Sequence, residues 1–444
     1  MSMVASDKPI LPDRSDAVAD RREFRRVIVS GYLGCSIEFY DFFLYSAAAA
    51  LVFGPVFFGD LSPLMSTVAA YATFAAGFIA RPLGGIIFGH FGDRLGRKRM
   101  LIITIWMMGI ASVLVGLLPT PATIGWLAPA LLVFLRVVQG LAVGGEYGGA
   151  LMMAVEHGDQ SRRGFFASLI AIGAPTGTVL GSIAFGLVRL LPNDQFLDWG
   201  WRLPFLSSAV LLGLGLYIRN QVSESPVFLE ALEREGNDNR FPLGQLLRLE
   251  WKPVILSVVI SAGPLAVFIV GSTFTQTYIE KIGFDTTVAL FALAIANLVN
   301  LAWFPVCAHL SDKYGRRPVL LVGFLLSLLL VGPNFMLVTT GNPYLTVLAF
   351  WLLGSFAAGP IYGSLGAFLS EQFSTQTRYT GASIGYQLGS TLGAGLTPLI
   401  VTSIYAASGG TTVVGVCAFL IGFCLISMLC VALSPETRGM SISN

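Results

Sequence analysis

Apolar positions along this chain gather into twelve long runs separated by short polar breaks. The runs lie at about 27–52, 64–90, 99–118, 124–152, 164–191, 203–219, 253–279, 286–310, 318–338, 344–370, 379–405 and 411–433. Each is close to the roughly 20 residues that cross a bilayer as a helix. The pattern predicts an all-α polytopic membrane protein. One polar break is written twice. Residues 89–101 read GHFGDRLGRKRML and residues 308–320 read AHLSDKYGRRPVL. His90 and His309, Asp93 and Asp312, Gly96 and Gly315, Arg97 and Arg316 match at a constant offset of 219. A second pair of segments, EHGDQSRRG at 156–164 and EQFSTQTRYTG at 371–381, falls at the fourth-to-fifth junction of each half. An internal repeat is the first guide to architecture. It predicts two pseudo-symmetric six-helix bundles, 27–219 and 253–434, with a polar tail at 1–26, a charged linker at 220–252 and a short tail at 435–444. Two related halves around a central site are the architecture of carriers that work by alternating access.

Composition agrees with this pattern. The chain is 55% hydrophobic and 12% charged, with mean hydropathy +0.74, against about 25% charged in soluble domains. A net charge of +2 gives no reason to expect a nucleic-acid partner. The placement of charge is more informative. With the N-terminus inside, 22 of the 27 Lys and Arg residues fall on one side and three (Arg189, Arg202, Lys281) on the other. Positive charge marks the cytoplasmic side, so both termini are expected there. The first 26 residues are polar and the first apolar run carries acids, so no cleavable signal peptide is expected. The five cysteines all fall inside apolar runs without metal-ligand spacing, so no metal or other cofactor is expected.

Five formal charges lie well inside the runs: Glu38, Asp41, Arg81, Arg136 and Glu146. Each costs about 2.5–3.5 kcal/mol on insertion scales, so such residues mark a pathway or a charge network. Glu38 and Asp41 are three apart and share a helical face. At 1.5 Å per residue, Glu38 lies about 16 Å deep, Asp41 about 21 Å, Arg81 about 15 Å, Arg136 about 25 Å and Glu146 about 10 Å. Asp41 and Arg136 therefore share a central layer. Desolvation favours a protonated carboxylate and a nearby guanidinium favours the ionised one. A contact between Asp41 and Arg136 that breaks in one state would let Asp41 take a proton. Asp41 is the expected proton site, with Glu38 the alternative. Arg136 is expected to meet substrate when released, and Arg81 to anchor a carboxylate or simply to neutralise Glu38. The second half has no basic residue inside its runs. Its polar and aromatic candidates for the substrate wall are Gln276, Asn297, Asn300, Tyr362, Tyr386 and Gln387. Tyr40 and Tyr147 stand beside embedded charges and join Glu146 as further candidate substrate contacts.

The two repeated phrases predict gates. Asp93 and Asp312 sit at helix ends, where a carboxylate can meet the amides and positive dipole end of a neighbouring helix. The helix starts near Gly164 and Arg378 are the expected partners. Arg97 is placed to pair with Glu156, and Arg316 with Glu371. Gly85 and Gly89, four apart, predict close approach of a neighbouring helix.

These phrases resemble the G-x-x-x-D-R-x-G-R-[RK] hallmark of the major facilitator superfamily. Further segments narrow the likeness: GCSIEFYDF at 34–42, ARPLGGIIFGHFGDRLGRKR at 80–99, RVVQGLAVGGEYGGA at 136–150, WGWRLPF at 199–205, ESPVF at 224–228 and PETRG at 435–439. They are similar to the metabolite:proton symporter branch, whose carriers take shikimate, 2-oxoglutarate, citrate, proline or betaine. The run 84–110 and the WGWR segment are most similar to shikimate-type carriers. The resemblance implies twelve helices in a bacterial-type inner membrane. It implies proton-coupled import of a small organic acid by a monomer. It also implies an acid–arginine pair between helices 1 and 4, carried here onto Asp41 and Arg136. An uncoupled facilitator, exporter or sensor of the same fold fits the same pattern. An enzyme finds no support, since no HExxH, phosphate-binding loop or nucleophile elbow is present. A channel would call for symmetric subunits around a filter ring.

Overall fold

A computed structural model describes residues 14–95, 97–144, 162–221, 246, 248–374 and 377–439. Among the described residues, twelve long helices account for the apolar runs. They are α1 (Arg14–Leu51), α2 (Pro63–Leu95), α3 (Arg97–Leu117), α4 (Leu127–Gly144), α5 (Arg163–Arg189), α6 (Arg202–Gln221), α7 (Trp251–Lys281), α8 (Thr286–Tyr314), α9 (Arg316–Thr339), α10 (Pro343–Glu371), α11 (Thr380–Ala407) and α12 (Val414–Leu433). Ten are long and apolar enough to cross a membrane, and the bent pair Asn193–Gly200 and Arg202–Ile218 makes an eleventh span. The embedded acids of α1 lower its hydropathy, yet its 38 residues are more than long enough to cross. Large apolar side chains such as Leu83, Val210, Leu329 and Met336 are exposed around the outside, as a lipid-facing surface requires.

Two sequence expectations shift at the edges. Helix α1 already includes Arg14, the first described residue, rather than starting near residue 27. Residues 14–26 include five Arg with Ala17, Ala19 and Glu23, and such residues extend an existing helix at little cost. The expected linker at 220–252 falls largely outside the described residues.

Short connections end the helices by local chemistry. Gly283 and Gly341, at φ 76° and 65°, close the ends of α7 and α9. Asp285 accepts from the Thr287 N–H at 2.8 Å to start α8, and Asn342 accepts from the Tyr344 N–H at 2.9 Å to start α10.

Packing repeats with a period of six helices. In the first half α1 packs on α5, α2 on α4 and α3 on α6. In the second half α7 packs on α11, α8 on α10 and α9 on α12. Across the halves α5 meets α8, and α2 meets α11, which is the same relation turned about the pseudo-symmetry axis. Close approach of α2 and α4 depends on Gly77 and Gly140. A Cβ on Gly140 would collide with the Gly77 carbonyl, and one on Gly77 would lie 2.6 Å from the Arg136 Nε. Missing side chains here bring Arg136 against the aromatic face of the bundle. In the second half, α7, α10 and α11 each contain a π-helical segment: Val270–Phe274, Leu352–Ala357 and Thr391–Gly395. Such segments widen a helix locally and often occur near functional sites.

Candidate functional site

The embedded charges of the first half converge. Glu38, Asp41, Arg81 and Arg136 are all buried, and together with Gln139 they line one small polar cavity between α1, α2 and α4. Glu38 and Asp41 project from one face of α1, as their spacing requires. Arg81 lies with its Nη1 3.8 Å from the Glu38 Oε1. Its guanidinium covers the Phe78 ring at 4.0 Å from the centroid. Arg81 makes no hydrogen bond among the described residues.

Asp41 and Arg136 make no direct contact in this structure. Gln139 stands between them. Its Nε2 donates to the Asp41 Oδ2 at 2.8 Å, and its Oε1 accepts from the Arg136 Nη1 at 3.2 Å. Arg136 turns instead onto aromatic rings, 4.2 Å from the Tyr45 centroid and 5.0 Å from that of Phe74. A desolvated cation–π contact contributes about 2 kcal/mol, while an uncompensated buried ion costs several. The rings therefore hold Arg136 without fully replacing an anion. The Arg136 Nε and the Asp41 Oδ1 are both buried with no hydrogen-bond partner.

A larger cavity of about 60 Å³ opens beside Glu38, between the halves. Cys35, Glu38 and Phe39 of α1 and Ser168 of α5 line it from one side, and Tyr362 of α10 and Tyr386 of α11 from the other. The Tyr362 hydroxyl donates to the Pro264 carbonyl at 3.1 Å. Gln387 reaches across the halves and donates to the Val143 carbonyl at 3.5 Å. Three expected substrate contacts point elsewhere. Tyr40 donates to the Pro204 carbonyl at 3.0 Å and bonds Ser207 at 2.6 Å, so it ties α1 to α6. Asn297 and Asn300 bond each other at 3.3 Å, and Asn300 donates to the Gly354 carbonyl at 3.1 Å. They therefore join α8 to the π segment of α10, inside the second half. The physical reason is common to all three: a polar side chain in a span takes the nearest backbone or hydroxyl partner. Gln276 is fully buried with neither amide atom bonded. Glu146, Tyr147 and Glu156, and the side chains of Asp93 and Arg97, lie outside the described residues.

The halves touch at both ends of the cavity. At the end carrying the repeated phrases, the two Asp312 carboxylate oxygens each accept a backbone N–H at 3.0 Å, from Gly164 and Phe165 at the start of α5. Arg316 bonds Asp312 at 2.6 Å and Glu371 at 3.2 Å. Glu436 accepts from the backbone N–H groups of Arg316 and Arg317 at 2.8 and 3.0 Å, and Thr437 donates to Glu371 at 2.6 Å. At the opposite end Tyr71 bonds Thr277 at 2.7 Å, and the Arg189 Nε donates to Thr286 at 3.1 Å. The Thr273 hydroxyl donates to Ser46 at 3.1 Å between these levels. These contacts hold the two halves together on both sides of the cavity.

Sequence reasoning did not find Gln139, Tyr71, Thr277 or the capping role of Glu436. Gln139 was within reach, because it lies three residues after Arg136 and shares its helical face.

Comparison with known proteins agrees with this geometry. A family model described as Major Facilitator Superfamily matches residues 31–384 and 304–442. The chain belongs to the major facilitator superfamily. It is 37% identical over 417 residues to the shikimate transporter of Escherichia coli (strain K12), covering 93% of this chain and 95% of that transporter. It is 39% identical over 424 residues to the inner membrane metabolite transport protein YhjE of the same strain, covering 94% and 95%. Among solved structures, the proton:xylose symporter XylE bound to 6-bromo-6-deoxy-D-glucose superposes with a TM-score of 0.75 at 18% identity, covering 95% of this chain and 98% of that one. The twelve helices in two pseudo-symmetric bundles are the fold of this family. The chain is a multi-pass membrane transporter of the metabolite type, and its relatives are transporters rather than enzymes.

Proposed function

We propose that this facilitator is a proton-coupled symporter that imports a small organic acid of the shikimate type. One observation carries the reading. Two buried guanidinium groups, Arg81 beside Glu38 and Arg136 with its Nε unbonded, lie among two buried carboxylates next to a cavity shared by both halves. Buried cations with spare donors call for an anion, and guanidinium forks suit a carboxylate. Buried acids in the same layer supply a site for the coupled proton, with Asp41 first and Glu38 second. Tyr362 and Tyr386 line the adjoining cavity from the second half, and a hydroxylated ring matches such a wall. Similarity to a named shikimate transporter supports the substrate class.

The bundles 27–219 and 253–434 act as the two rocking units, in a monomer with both termini in the cytoplasm. The 22-to-3 distribution of Lys and Arg supports that orientation. Asp312, Arg316 and Glu371 then form a cytoplasmic latch, and Asp93, Arg97 and Glu156 its repeat in the first half. Tyr71 and Thr277 close the periplasmic side.

Uptake of labelled shikimate into energised vesicles, with and without a protonophore, tests the reading. Accumulation that collapses with the protonophore is expected. Undiminished accumulation removes proton coupling. A panel of shikimate, quinate, 2-oxoglutarate, citrate, proline and betaine in the same assay fixes the substrate.

A further inference from the structure

We propose that Gln139 is the positioning residue that transmits the charge state of Asp41 to Arg136, in place of a direct ion pair between them. The inference rests on the reading of this chain as a proton symporter. Its basis is the hydrogen-bond network around the Gln139 amide. The Ser112 hydroxyl donates its one hydrogen to the Met108 carbonyl at 2.8 Å, so toward Gln139 it can only accept. Gln139 Nε2 lies 2.9 Å from that oxygen and 2.8 Å from the Asp41 Oδ2. Both amide hydrogens are therefore committed. On the other side Arg136, which has donors only, faces the Gln139 Oε1 at 3.2 Å. Turning the amide over would set its oxygen against a carboxylate and an accepting hydroxyl, and its NH₂ against a guanidinium. Only one orientation satisfies all three partners.

The network has open positions at both ends. The Asp41 Oδ1 is buried and unbonded, while its Oδ2 is held by Gln139. A proton arriving from water on the open side therefore forms its O–H bond at Oδ1, and Oδ2 stays bonded to the amide. Asp41 then changes from an ionised acceptor to a neutral one. Charge-assisted hydrogen bonds are about twice as strong as neutral ones, and bonds in a chain polarise one another. Protonation therefore weakens the Gln139 bond to Asp41 and, through the amide, its hold on Arg136. The Nη1 and Nε of Arg136 become available to a substrate carboxylate. By linkage, an anion that draws Arg136 away favours the proton on Asp41 to the same extent. The charged groups around Asp41 are Glu38 on its own helix, Arg81 from α2 and Arg136 from α4. Hydroxyls of Tyr40 and Tyr45 lie on α1, and α3 contributes only Ser112.

The test compares proton-driven accumulation with energy-independent counterflow, and measures shikimate affinity across pH. Wild type is assayed first with a protonophore; insensitivity there removes the symport reading itself. Gln139→Leu keeps the volume and removes the relay. Gln139→Glu keeps an acceptor for Arg136 and removes both donors. For each, accumulation is expected to fall at least about ten-fold and counterflow less than about three-fold, the loss expected for a charge-assisted bond of roughly 1.5 kcal/mol or more. Shikimate affinity is expected to lose its pH dependence in both. Thr104→Ala removes a buried hydroxyl of α3 that bonds the Leu101 carbonyl, outside this network, and its ratio of accumulation to counterflow is expected to stay at the wild-type value. Wild-type ratio and pH dependence in either folded Gln139 variant would overturn the assignment. So would an equal fall of accumulation and counterflow, or a Thr104→Ala variant uncoupled to the same degree, since both trace the effect to packing. If Gln139→Leu does not fold, Gln139→Glu and Thr104→Ala decide the question.

Discussion

Asp312 of the second half clasps Gly164 of the first: its Oδ1 lies 3.0 Å from the Gly164 amide nitrogen, and its Oδ2 is equally close to that of Phe165. The carboxylate fills the unsatisfied amide positions at the start of α5 and meets the positive end of that helix. Arg316 holds the same carboxylate from behind at 2.6 Å. A cross-half contact is thereby built from one charge and two backbone groups.

Asp312→Asn removes the charge and keeps the shape. Hydrogen bonds to charged groups contribute about 1.5–3 kcal/mol, and Asn retains one acceptor, so a loss of about 1–2 kcal/mol is expected. That shifts the balance between closed and open at this end by about 5–30-fold. Cys35 lines the central cavity and reports it. Maleimide labelling of Cys35, in a background lacking the other four cysteines, is expected to rise by that factor when reagent enters from the end carrying the repeated phrases. An unchanged labelling rate would remove Asp312 from the latch.

Tyr71→Phe acts at the other end. It deletes the 2.7 Å bond to Thr277 while leaving the ring packed. A neutral hydrogen bond contributes about 1 kcal/mol, so opening toward that end is expected to increase about five-fold. The same Cys35 probe, applied from the opposite side of oriented vesicles, measures it. A variant carrying Asp312→Asn and Tyr71→Phe together is expected to restore the wild-type balance in part, because the two latches pull in opposite directions.

Gly140→Ala places a methyl group against the Gly77 carbonyl where α2 and α4 cross. Backbone cannot yield as a flexible side chain does, and overpacking costs about 1–3 kcal/mol. A lower melting temperature and reduced yield of monodisperse protein in detergent are expected. Gly213→Ala is the control, since nothing lies within 4 Å of its added Cβ. Its melting temperature is expected to equal or exceed that of wild type, by the helix preference of Ala over Gly.

Glu436→Ala uncaps α9. The carboxylate accepts from the Arg316 and Arg317 amides at 2.8 and 3.0 Å, in the position of a helix N-terminal anion. Losing such a cap costs about 0.5–2 kcal/mol. Hydrogen exchange at the start of α9 is expected to accelerate up to about 30-fold, with exchange in the middle of α12 unchanged. Equal protection in both proteins would show that the tail does not brace the gate.

The order of helices was legible in the sequence because it is local. A run of apolar residues long enough to cross lipid must close its own backbone hydrogen bonds, so each run became a helix whatever its neighbours. The repeat at 89–101 and 308–320 fixed the two halves, and the spacing of Glu38 and Asp41 fixed their common face. Arg316 and Glu371 were paired from the order of landmarks alone, and the structure sets them 3.2 Å apart. Partner choice inside the cluster was not legible. Arg136 was matched to Asp41 by depth, yet depth resolves about one helical turn, roughly 5 Å, and a hydrogen bond tolerates only a few tenths of an ångström. Within that turn the rotation of α4 and its close crossing with α2 at Gly77 decided the outcome. They presented Gln139 to the carboxylate and laid Arg136 on Tyr45 and Phe74. Tyr40, Asn297 and Asn300 show the same division, since their helices follow from the chain but only packing chose the carbonyl or hydroxyl each would meet.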